Sequence, residues 1–280
     1  MEQFLRGQTA VITGGTQGIG WALTQALAAH GAQVYACGYS ATNLERAEAE
    51  CATLPWRDQI HLTRCDVTDR AQYTGWLEEA YGANGRLDIL VHNAAYVQWD
   101  DVLDMNIEQA LHTMRVGYDG MVIGVHTALP WMLAAGQGQI VTIGSITARI
   151  LVRGSSAAYT ATKAAIDAYT VTLQMELAQT PVRATLVRLG TVAGTDFFKK
   201  HVRPGRTPKL NKYLPALTPP QVATAVLRAI QHQQPILTLP RYLGPLSIIY
   251  QVAPRFSRWL SDQGWGEHPD YGRVNWQYKK

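Results

Sequence analysis

The sequence predicts an α/β protein built on a doubly wound parallel sheet in three layers, with helices on both faces. Short apolar runs alternate with segments of helical periodicity through most of the chain. In runs such as residues 10–12 and 89–91 the apolar residues are consecutive, which is typical of strands buried on both faces. Strands and helices that alternate at this spacing form right-handed crossover units, and such units build a parallel sheet.

The predicted strands follow one another at regular intervals. They cover residues 10–12, 33–37, 60–62, 88–92, 138–143, 185–189 and 234–239. Apolar residues at helical spacing from Trp21 to Leu27 predict the first helix, and Gly31 is expected to end it. Because no internal repeat or linker separates these elements, we expect one domain over residues 1–240 and a C-terminal extension over residues 241–280.

The composition is that of an ordinary globular protein. Of the 280 residues, 47% are hydrophobic and 16% are charged, which excludes a disordered or fibrous chain. No apolar run reaches the roughly 18 residues that a membrane-spanning helix needs, and the N-terminus does not read as a signal peptide. The three cysteines form no CxxC pair, which is typical of a reducing compartment. We therefore expect a cytoplasmic protein with no disulfide framework and no metal site.

The net charge of +4 is unevenly distributed along the chain. Residues 181–280 carry 15 Lys and Arg against 4 Asp and Glu, whereas residues 1–180 are acidic overall. Three interpretations are open: a solvated basic surface, attraction of an anionic substrate, or attraction of an anionic membrane surface. No run of Lys and Arg is interleaved with aromatic residues, so we expect no nucleic-acid partner.

A glycine-rich turn directly follows the first predicted strand. It reads Thr-Gly-Gly-Thr-Gln-Gly-Ile-Gly over residues 13–20, with glycines at Gly14, Gly18 and Gly20. Glycines let the backbone approach a pyrophosphate, and the following helix offers unpaired N–H groups at its positive end. Because ligands of a doubly wound sheet bind at the carboxyl ends of the strands, this turn predicts a nucleotide site.

A second polar group comes at and after the end of the fifth predicted strand. Ser145 lies there, and Tyr159 and Lys163 follow at a spacing of four, which places them on one face of a helix. A phenol titrates near about 10, so it is a poor base at neutral pH unless a positive charge stabilises its anion. Lys163 is suited to that role, while Ser145 is suited to hydrogen-bond a substrate oxygen as Tyr159 transfers a proton. The alternative is a chance spacing in an ordinary helix.

Together the two motifs resemble the short-chain dehydrogenase/reductase family, in its compact TGxxxGxG and YxxxK branch. The resemblance covers about residues 5–240. It implies a Rossmann-like fold and hydride transfer between a nicotinamide dinucleotide and a secondary alcohol or ketone. It also implies that Tyr159 is the general acid/base, that Lys163 holds the ribose and lowers the pKa of Tyr159, and that Ser145 orients the substrate oxygen.

The resemblance further implies which residues contact the dinucleotide and how the chain assembles. Asp66 and Val67 look like the family's adenine-contacting pair, and residues 92–95 stand where the family usually has Asn-Asn-Ala-Gly. The expected cofactor-binding residues are Gly14, Thr16, Gln17, Gly18, Ile19, Gly20, Tyr39, Ser40, Asp66, Val67, Asn93, Ala94, Ala95, Tyr159, Lys163, Gly190, Thr191, Val192 and Thr195. A homodimer or homotetramer is expected, paired through the helices over residues 105–130 and 156–178.

Two departures from the family pattern bear on function. Gly117 stands where the family's proton relay often includes an Asn, and we interpret it as a site of close helix packing. Gly38 stands where an NAD enzyme usually presents an acid, and NADP-linked relatives usually carry Arg at the positions of Tyr39 and Gln17. With no acid to repel a 2′-phosphate, and with Ser40 available to bind it, NADP(H) is favoured over NAD(H).

Two segments are harder to interpret. Residues 195–218 correspond to the family's lid over the substrate, and their aromatic and basic residues favour a hydrophobic ketone or alcohol, with or without a negative group. The C-terminal extension has apolar residues beside arginines. It is either a short amphipathic element on a membrane surface or a segment that closes the pocket or a subunit interface and buries Trp259, Trp265 and Trp276. Because prolines shorten any helix there, we favour the pocket or interface.

The first functional hypothesis is therefore an NAD(P)(H)-dependent oxidoreductase. The rival is a catalytically weak nucleotide-binding regulator or scaffold of the same fold, which only Gly117 and the altered strand ends favour. An intact set of Ser145, Tyr159 and Lys163 weighs against the rival, because binding alone does not need an acid/base. A lyase or isomerase that uses the same tyrosine is also open, since function depends on the site rather than on the fold.

Overall fold

A seven-stranded sheet organises the chain in a computed structural model that describes residues 3–151, 156–195 and 216–262. Its strands, in chain order, are β1 (Thr9–Thr13), β2 (Gln33–Gly38), β3 (Ile60–Arg64), β4 (Ile89–His92), β5 (Gly138–Ser145), β6 (Val182–Leu189) and β7 (Ile236–Leu239). They lie in the order β3-β2-β1-β4-β5-β6-β7, and every pairing is parallel. The predicted doubly wound parallel α/β sheet is confirmed.

Helices cover both faces of this sheet. They are α1 (Gly18–Ala29), α2 (Ala41–Cys51), α3 (Arg70–Asn84), α4 (Ile107–Met114), α5 (Gly120–Ala134), α6 (Ala157–Glu176), α7 (Pro219–Gln231), α8 (Leu243–Val252) and α9 (Pro254–Asp262). A π-helical segment, Arg115–Asp119, joins α4 to α5. One apolar cluster packs α1, α2 and α7 against one face of the sheet, and a second packs α3, α5 and α6 against the other. The result is three layers.

Burial varies across the sheet more than the sequence predicts. All five residues of β1 are buried, whereas in β3 only Ile60 is buried and in β7 only Leu237. The prediction of burial on both faces is therefore wrong for β3, and β7 is only partly buried. Both are edge strands, so each has a neighbouring strand on one side only.

The first strand-to-helix connection forms as predicted, with an earlier start to the helix. α1 begins at Gly18, inside the glycine turn, rather than at Trp21. Its C-cap is His30, and Gly31 follows with a left-handed φ of 97°, a conformation that favours glycine.

The described part of the C-terminal extension consists of α8 and α9. Ser257 of α9 is buried and donates a hydrogen bond to the carbonyl of Tyr250 in α8, at 3.3 Å. Trp259 is 56% exposed. α9 turns its Ser257 side towards α8 and leaves Trp259 exposed in the single chain, so burial of Trp259 in a subunit interface stays a prediction. Trp265 and Trp276 lie outside the described residues.

The predicted lid also lies largely outside the described residues, since those end at residue 195 and resume at residue 216. Across the described ranges, no helix combines the length and the hydropathy that crossing a bilayer requires.

Candidate active site

Two adjoining cavities lie at the carboxyl ends of the central strands. The larger, of about 450 Å³, has the glycine turn on one wall and Ser145, Tyr159 and Lys163 on another. The smaller, of about 320 Å³, lies between the same turn and the ends of β2 and β3. Because Gly14 and Gln17 line both cavities, the turn separates two halves of one extended groove.

Nearly all the residues that the sequence predicts for the site line these cavities. In the larger they are Gly14, Gln17, Gly18, Ile19, Gly20, Asn93, Ala94, Ala95, Ser145, Tyr159, Lys163, Gly190, Val192 and Thr195. In the smaller they are Gly14, Thr16, Gln17, Tyr39, Ser40, Asp66, Val67, Ala94 and Ala95. Thr191 lines neither cavity, and its carbonyl instead accepts a hydrogen bond from the Leu217 amide at 3.1 Å.

The glycine turn has a shape that side chains would block. Gly14 and Gly18 have φ values of 63° and 54°, in the left-handed region that favours glycine. A Cβ atom on Gly20 would lie only 2.0 Å from the carbonyl oxygen of Gly14 and 2.5 Å from Nδ2 of Asn93. The turn therefore presents bare backbone to the larger cavity.

The N-terminus of α1 adds an anion-binding element to the same wall. Its N-cap residue, Gln17, makes no side-chain capping hydrogen bond, and its first turn has no acidic residue. The first backbone N–H groups and the positive end of the helix dipole are thus left for a ligand. Such a terminus suits a phosphate group, so the residues present fit the pyrophosphate of a dinucleotide.

Hydrogen bonds between β1 and β4 hold the turn in place. The Asn93 amide group donates to the carbonyls of Thr13 and Gly14, at 3.1 and 2.9 Å. The Thr13 hydroxyl accepts from the backbone N–H groups of Asn93 and Ala94, both at 3.1 Å. Sequence reasoning missed this role of Thr13, although its place at the end of β1, just before Gly14, was an available signal.

The hydroxyls of Ser145 and Tyr159 meet in the larger cavity. Ser145 ends β5, and Tyr159 lies in the first turn of α6, which Ser156 caps by accepting a hydrogen bond from the Tyr159 amide at 3.4 Å. The Ser145 hydroxyl hydrogen-bonds the Tyr159 side chain and also accepts from the Thr147 hydroxyl at 2.9 Å. The Tyr159 ring packs beside Trp99, with 5.5 Å between ring centroids.

This packing sets the protonation state of Tyr159. Burial raises the pKa of Tyr159 to about 12, and the hydrogen bond with Ser145 offsets that rise only in part. Desolvation of the phenol thus outweighs the favourable contact with Ser145, and the lowering expected from Lys163 and a bound nicotinamide stays a prediction. At neutral pH Tyr159 holds its proton.

Lys163 lies one turn further along α6. Its Nζ is 5.8 Å from the centroid of the Tyr159 ring and donates a hydrogen bond to the carbonyl of Ile143 at 2.9 Å. Burial lowers the pKa of Lys163 to about 8, because desolvation penalises the ammonium. Lys163 is thus mostly charged at pH 7 and neutral above pH 8.

Gly117 packs closely against α6, as interpreted from the sequence. It is buried in the π-helical segment, and a Cβ there would lie 2.7 Å from Cγ2 of Thr162, the neighbour of Lys163. An Asn at this position would require Thr162 to move, and a β-branched side chain has little freedom to do so.

The end of β2 shows why an acid is absent at Gly38. A Cβ on Gly38 would lie 2.2 Å from the Thr16 hydroxyl oxygen, so the Thr16 side chain occupies that space. Arg64 stands opposite Gly38 in the β2–β3 register. Its guanidinium lies 5.9 Å from the centroid of the Tyr39 ring and donates to the Tyr39 carbonyl at 3.1 Å. The sequence analysis missed Arg64, because only the register places it beside Gly38.

The fold and the groove together have the architecture of nucleotide-binding α/β proteins. The sheet is parallel and of this strand order, a glycine turn follows its first strand, and a helix N-terminus lies at the groove. Comparison with known proteins narrows this class. A family model described as short chain dehydrogenase matches residues 8–204. The chain belongs to the short-chain dehydrogenase/reductase family of oxidoreductases.

Several relatives and solved structures support this assignment. The chain is 29% identical to the fatty acyl-CoA reductase of Acinetobacter baylyi over 95% of its own length and 86% of the relative's. It is 31% identical to the oxidoreductase UcpA of Escherichia coli, over 67% of this chain and 70% of that protein. A short-chain dehydrogenase/reductase of Burkholderia phymatum, solved in complex with NAD, has the same fold: its TM-score is 0.78 at 22% identity, over 91% of this chain and 96% of that one.

Proposed function

We propose that this protein is an NAD(P)(H)-dependent oxidoreductase that transfers a hydride between nicotinamide and a secondary alcohol or ketone. The observation that carries the proposal is a single cavity lined by both the glycine turn and Ser145, Tyr159 and Lys163. When bound, the nicotinamide supplies or accepts the hydride. The chain's own residues hold the dinucleotide, orient the substrate and move the proton.

Tyr159 is the proton donor in the reductive direction. Because its pKa lies near 12, it is protonated at neutral pH and has a proton to give to a carbonyl oxygen as negative charge develops there. Ser145 hydrogen-bonds the same tyrosine, so an oxygen placed between the two hydroxyls contacts both. Lys163 holds the ribose hydroxyls and keeps a positive charge beside the phenol below pH 8.

NADP(H) is the preferred cofactor in this proposal. Thr16 leaves no space for an acid at Gly38, so no carboxylate there repels a 2′-phosphate. Ser40 caps α2 by accepting a hydrogen bond from the Asn43 amide, and the residue lines the smaller cavity. Arg64, held beside Tyr39 at the same strand end, adds the positive charge that a phosphate requires.

The substrate is a small hydrophobic ketone or alcohol. A second candidate substrate is a long-chain acyl thioester. The match to the fatty acyl-CoA reductase favours this candidate, because the match covers 95% of this chain and so includes the C-terminal extension. The excess of Lys and Arg in residues 181–280 is consistent with an anionic substrate of this kind. A panel of ketones, long-chain aldehydes and acyl-CoA thioesters, each tested for NADPH oxidation, separates these candidates.

The proposal is tested by titrating the protein with NADPH and NADH, with energy transfer from tryptophan to nicotinamide as the signal. NADPH is expected to bind more tightly. Arg64→Gln is expected to weaken NADPH binding by about tenfold, as the loss of a charge-assisted hydrogen bond would, and to leave NADH binding unchanged. Arg57→Gln is the matched control, because Arg57 is an exposed arginine beyond the opposite end of β3.

Either of two results would overturn parts of this account. Equal weakening of NADPH and NADH by Arg64→Gln would remove Arg64 from 2′-phosphate recognition. Binding of neither dinucleotide to the unaltered protein would exclude the oxidoreductase and leave the regulator or scaffold.

A further inference from the structure

The helix α8 has an apolar outer face. On its inner face Leu243 and Ser247 are buried, and Cδ1 of Leu243 would lie 2.7 Å from a Cβ on Gly190, so this face packs against the rest of the protein. Four exposed residues at the i, i+3, i+4 and i+7 spacing of a single helix face form what we call the apolar stripe: Pro245, Ile248, Ile249 and Val252. A surface helix ordinarily has polar residues on its outer face, so this stripe requires an explanation.

The next helix, α9, adds exposed aromatic side chains. Phe256 and Trp259 are 50% and 56% exposed, and their rings pack beside each other with 5.7 Å between centroids. The prolines do not break either helix, because Pro245 lies in the first turn of α8 and Pro254 begins α9. Tryptophan and other amphipathic aromatic residues are enriched where a protein meets the boundary between lipid and water.

The same segment is basic. Residues 241–261 contain three arginines and no Asp or Glu, and the side chains of Arg241 and Arg255 are exposed. Apolar residues flanked by arginines, without acidic residues, are typical of helices that lie in the interface of a membrane with anionic lipids.

The two cavities do not use this surface. Within the ranges that the structure describes, the residues of α8 and α9 line neither the larger nor the smaller cavity. The stripe therefore has no contact with the groove that we assign to the dinucleotide, and its cover comes from outside the chain's described part.

Charge distinguishes a lipid surface from a second copy of the chain. In a two-fold dimer the same patch meets itself, so the arginines of both copies would come together at one interface. Like charges repel each other there, whereas the phosphates of an anionic lipid surface attract arginine. Charge complementarity thus favours the bilayer.

We propose that the apolar stripe, together with Phe256 and Trp259, is a peripheral docking surface for membranes that contain anionic phospholipid. The apolar side chains enter the boundary between headgroups and acyl chains, while Arg241 and Arg255 contact lipid phosphates. The proposal does not rest on the proposed oxidoreductase function, because none of these residues belongs to the dinucleotide groove.

The experiment sediments the full-length protein with vesicles of phosphatidylcholine alone and with vesicles that also contain phosphatidylglycerol. We expect binding to the anionic vesicles, weaker binding to the neutral ones, and loss of binding as salt screens the arginines. Ile248→Ser is expected to weaken binding to the anionic vesicles by at least about tenfold, because it removes an apolar side chain from the lipid-facing surface. Arg255→Gln is expected to weaken it about fivefold, and to leave binding to neutral vesicles unchanged.

Ile107→Ser is the matched control. Ile107 is also an exposed isoleucine, at the start of α4 and beside Glu108, so its replacement is expected to leave vesicle binding unchanged. Because both isoleucines are exposed, both variants are expected to fold. Vesicles with brominated acyl chains add a local readout, since bromine quenches nearby tryptophan fluorescence, and this quenching is expected to fall in Trp259→Phe.

The proposal fails if the protein sediments with neither kind of vesicle, or if Ile248→Ser and Ile107→Ser weaken binding equally. Equal binding to neutral and anionic vesicles would overturn the role of the arginines. If light scattering shows a dimer that Ile248→Ser dissociates, and the protein binds no vesicles, a second copy of the chain covers the stripe and the proposal is wrong.

Discussion

The glycine turn gives the sharpest structural prediction, at Gly20. In the Gly20→Ala variant the new Cβ would start 2.0 Å from the Gly14 carbonyl oxygen and 2.5 Å from Nδ2 of Asn93. Non-bonded heavy atoms attract at about 3.5–4.0 Å. The Gly14 carbonyl oxygen and the new Cβ must therefore move apart by more than about 1 Å, which opens the turn. We expect a loss of stability of about 1–3 kcal/mol, as for other overpacked sites, and at least a tenfold loss of NADPH affinity, equivalent to about 1.4 kcal/mol.

Gly82→Ala is the matched control for this change. Gly82 lies exposed within α3 and has no neighbouring atom within 4 Å of where a Cβ would be. Alanine is favoured over glycine inside a helix by roughly 0.5–1 kcal/mol. The same substitution is thus expected to stabilise the protein here and to leave dinucleotide binding unchanged.

Urea unfolding and the NADPH titration measure both quantities on the same samples. The reasoning predicts opposite signs of the stability change in the two variants, and weakened binding in Gly20→Ala alone. If Gly20→Ala bound NADPH as tightly as the unaltered protein, the close approach of Gly20 to Gly14 would have no role in binding.

Two further predictions concern stability. His92 is buried, its Nε2 has no hydrogen-bond partner among the described residues, and burial lowers its pKa to about 3 from 6.5. Below pH 6.5 the unfolded chain therefore binds a proton on this histidine that the folded protein does not bind. By pH 4 this difference should lower the free energy of unfolding by about 3 kcal/mol. In urea unfolding from pH 7 to 4, His92→Asn should lose less stability than the unaltered protein. If its free energy of unfolding fell as steeply with pH, burial of a neutral His92 would not be the cause of the acid sensitivity. Asp167 accepts hydrogen bonds from Arg149 at 2.9 Å and Arg188 at 2.6 Å. Because Asp167→Asn leaves these arginines without their counter-charge, it should lower the free energy of urea unfolding by roughly 3 kcal/mol. The control Glu108→Gln, in an exposed ion pair, should lower it by less than about 1 kcal/mol. Equal losses of stability in the two variants would refute the role of burial.

Local sequence patterns predict most of the fold and the chemistry of the site. The buried central strands, such as β1, show as consecutive apolar residues, and the turn after β1 shows as glycines at fixed spacing. The spacing of Tyr159 and Lys163 follows from helix periodicity alone. These features depend on neighbours in the chain, which is why the sequence reveals them.

Other features depend on contacts between distant segments. Arg64 lies beside Gly38 only through the β2–β3 register. The raised pKa of Tyr159 depends on its burial. Burial and cross-strand register have no signature within a single segment, so sequence reasoning does not reveal the effect of burial on this pKa.

The most direct test of the proposed function compares turnover in Tyr159→Phe and Tyr169→Phe. Both tyrosines lie in α6, but the Tyr169 ring packs edge-on against Tyr118, with 5.9 Å between centroids, and lines neither cavity. With the best substrate of the panel, Tyr159→Phe is expected to lower kcat by about 10²–10⁴-fold, the usual contribution of a general acid, while NADPH binding stays largely intact. Tyr169→Phe should retain full turnover. Wild-type turnover in Tyr159→Phe would contradict the mechanism.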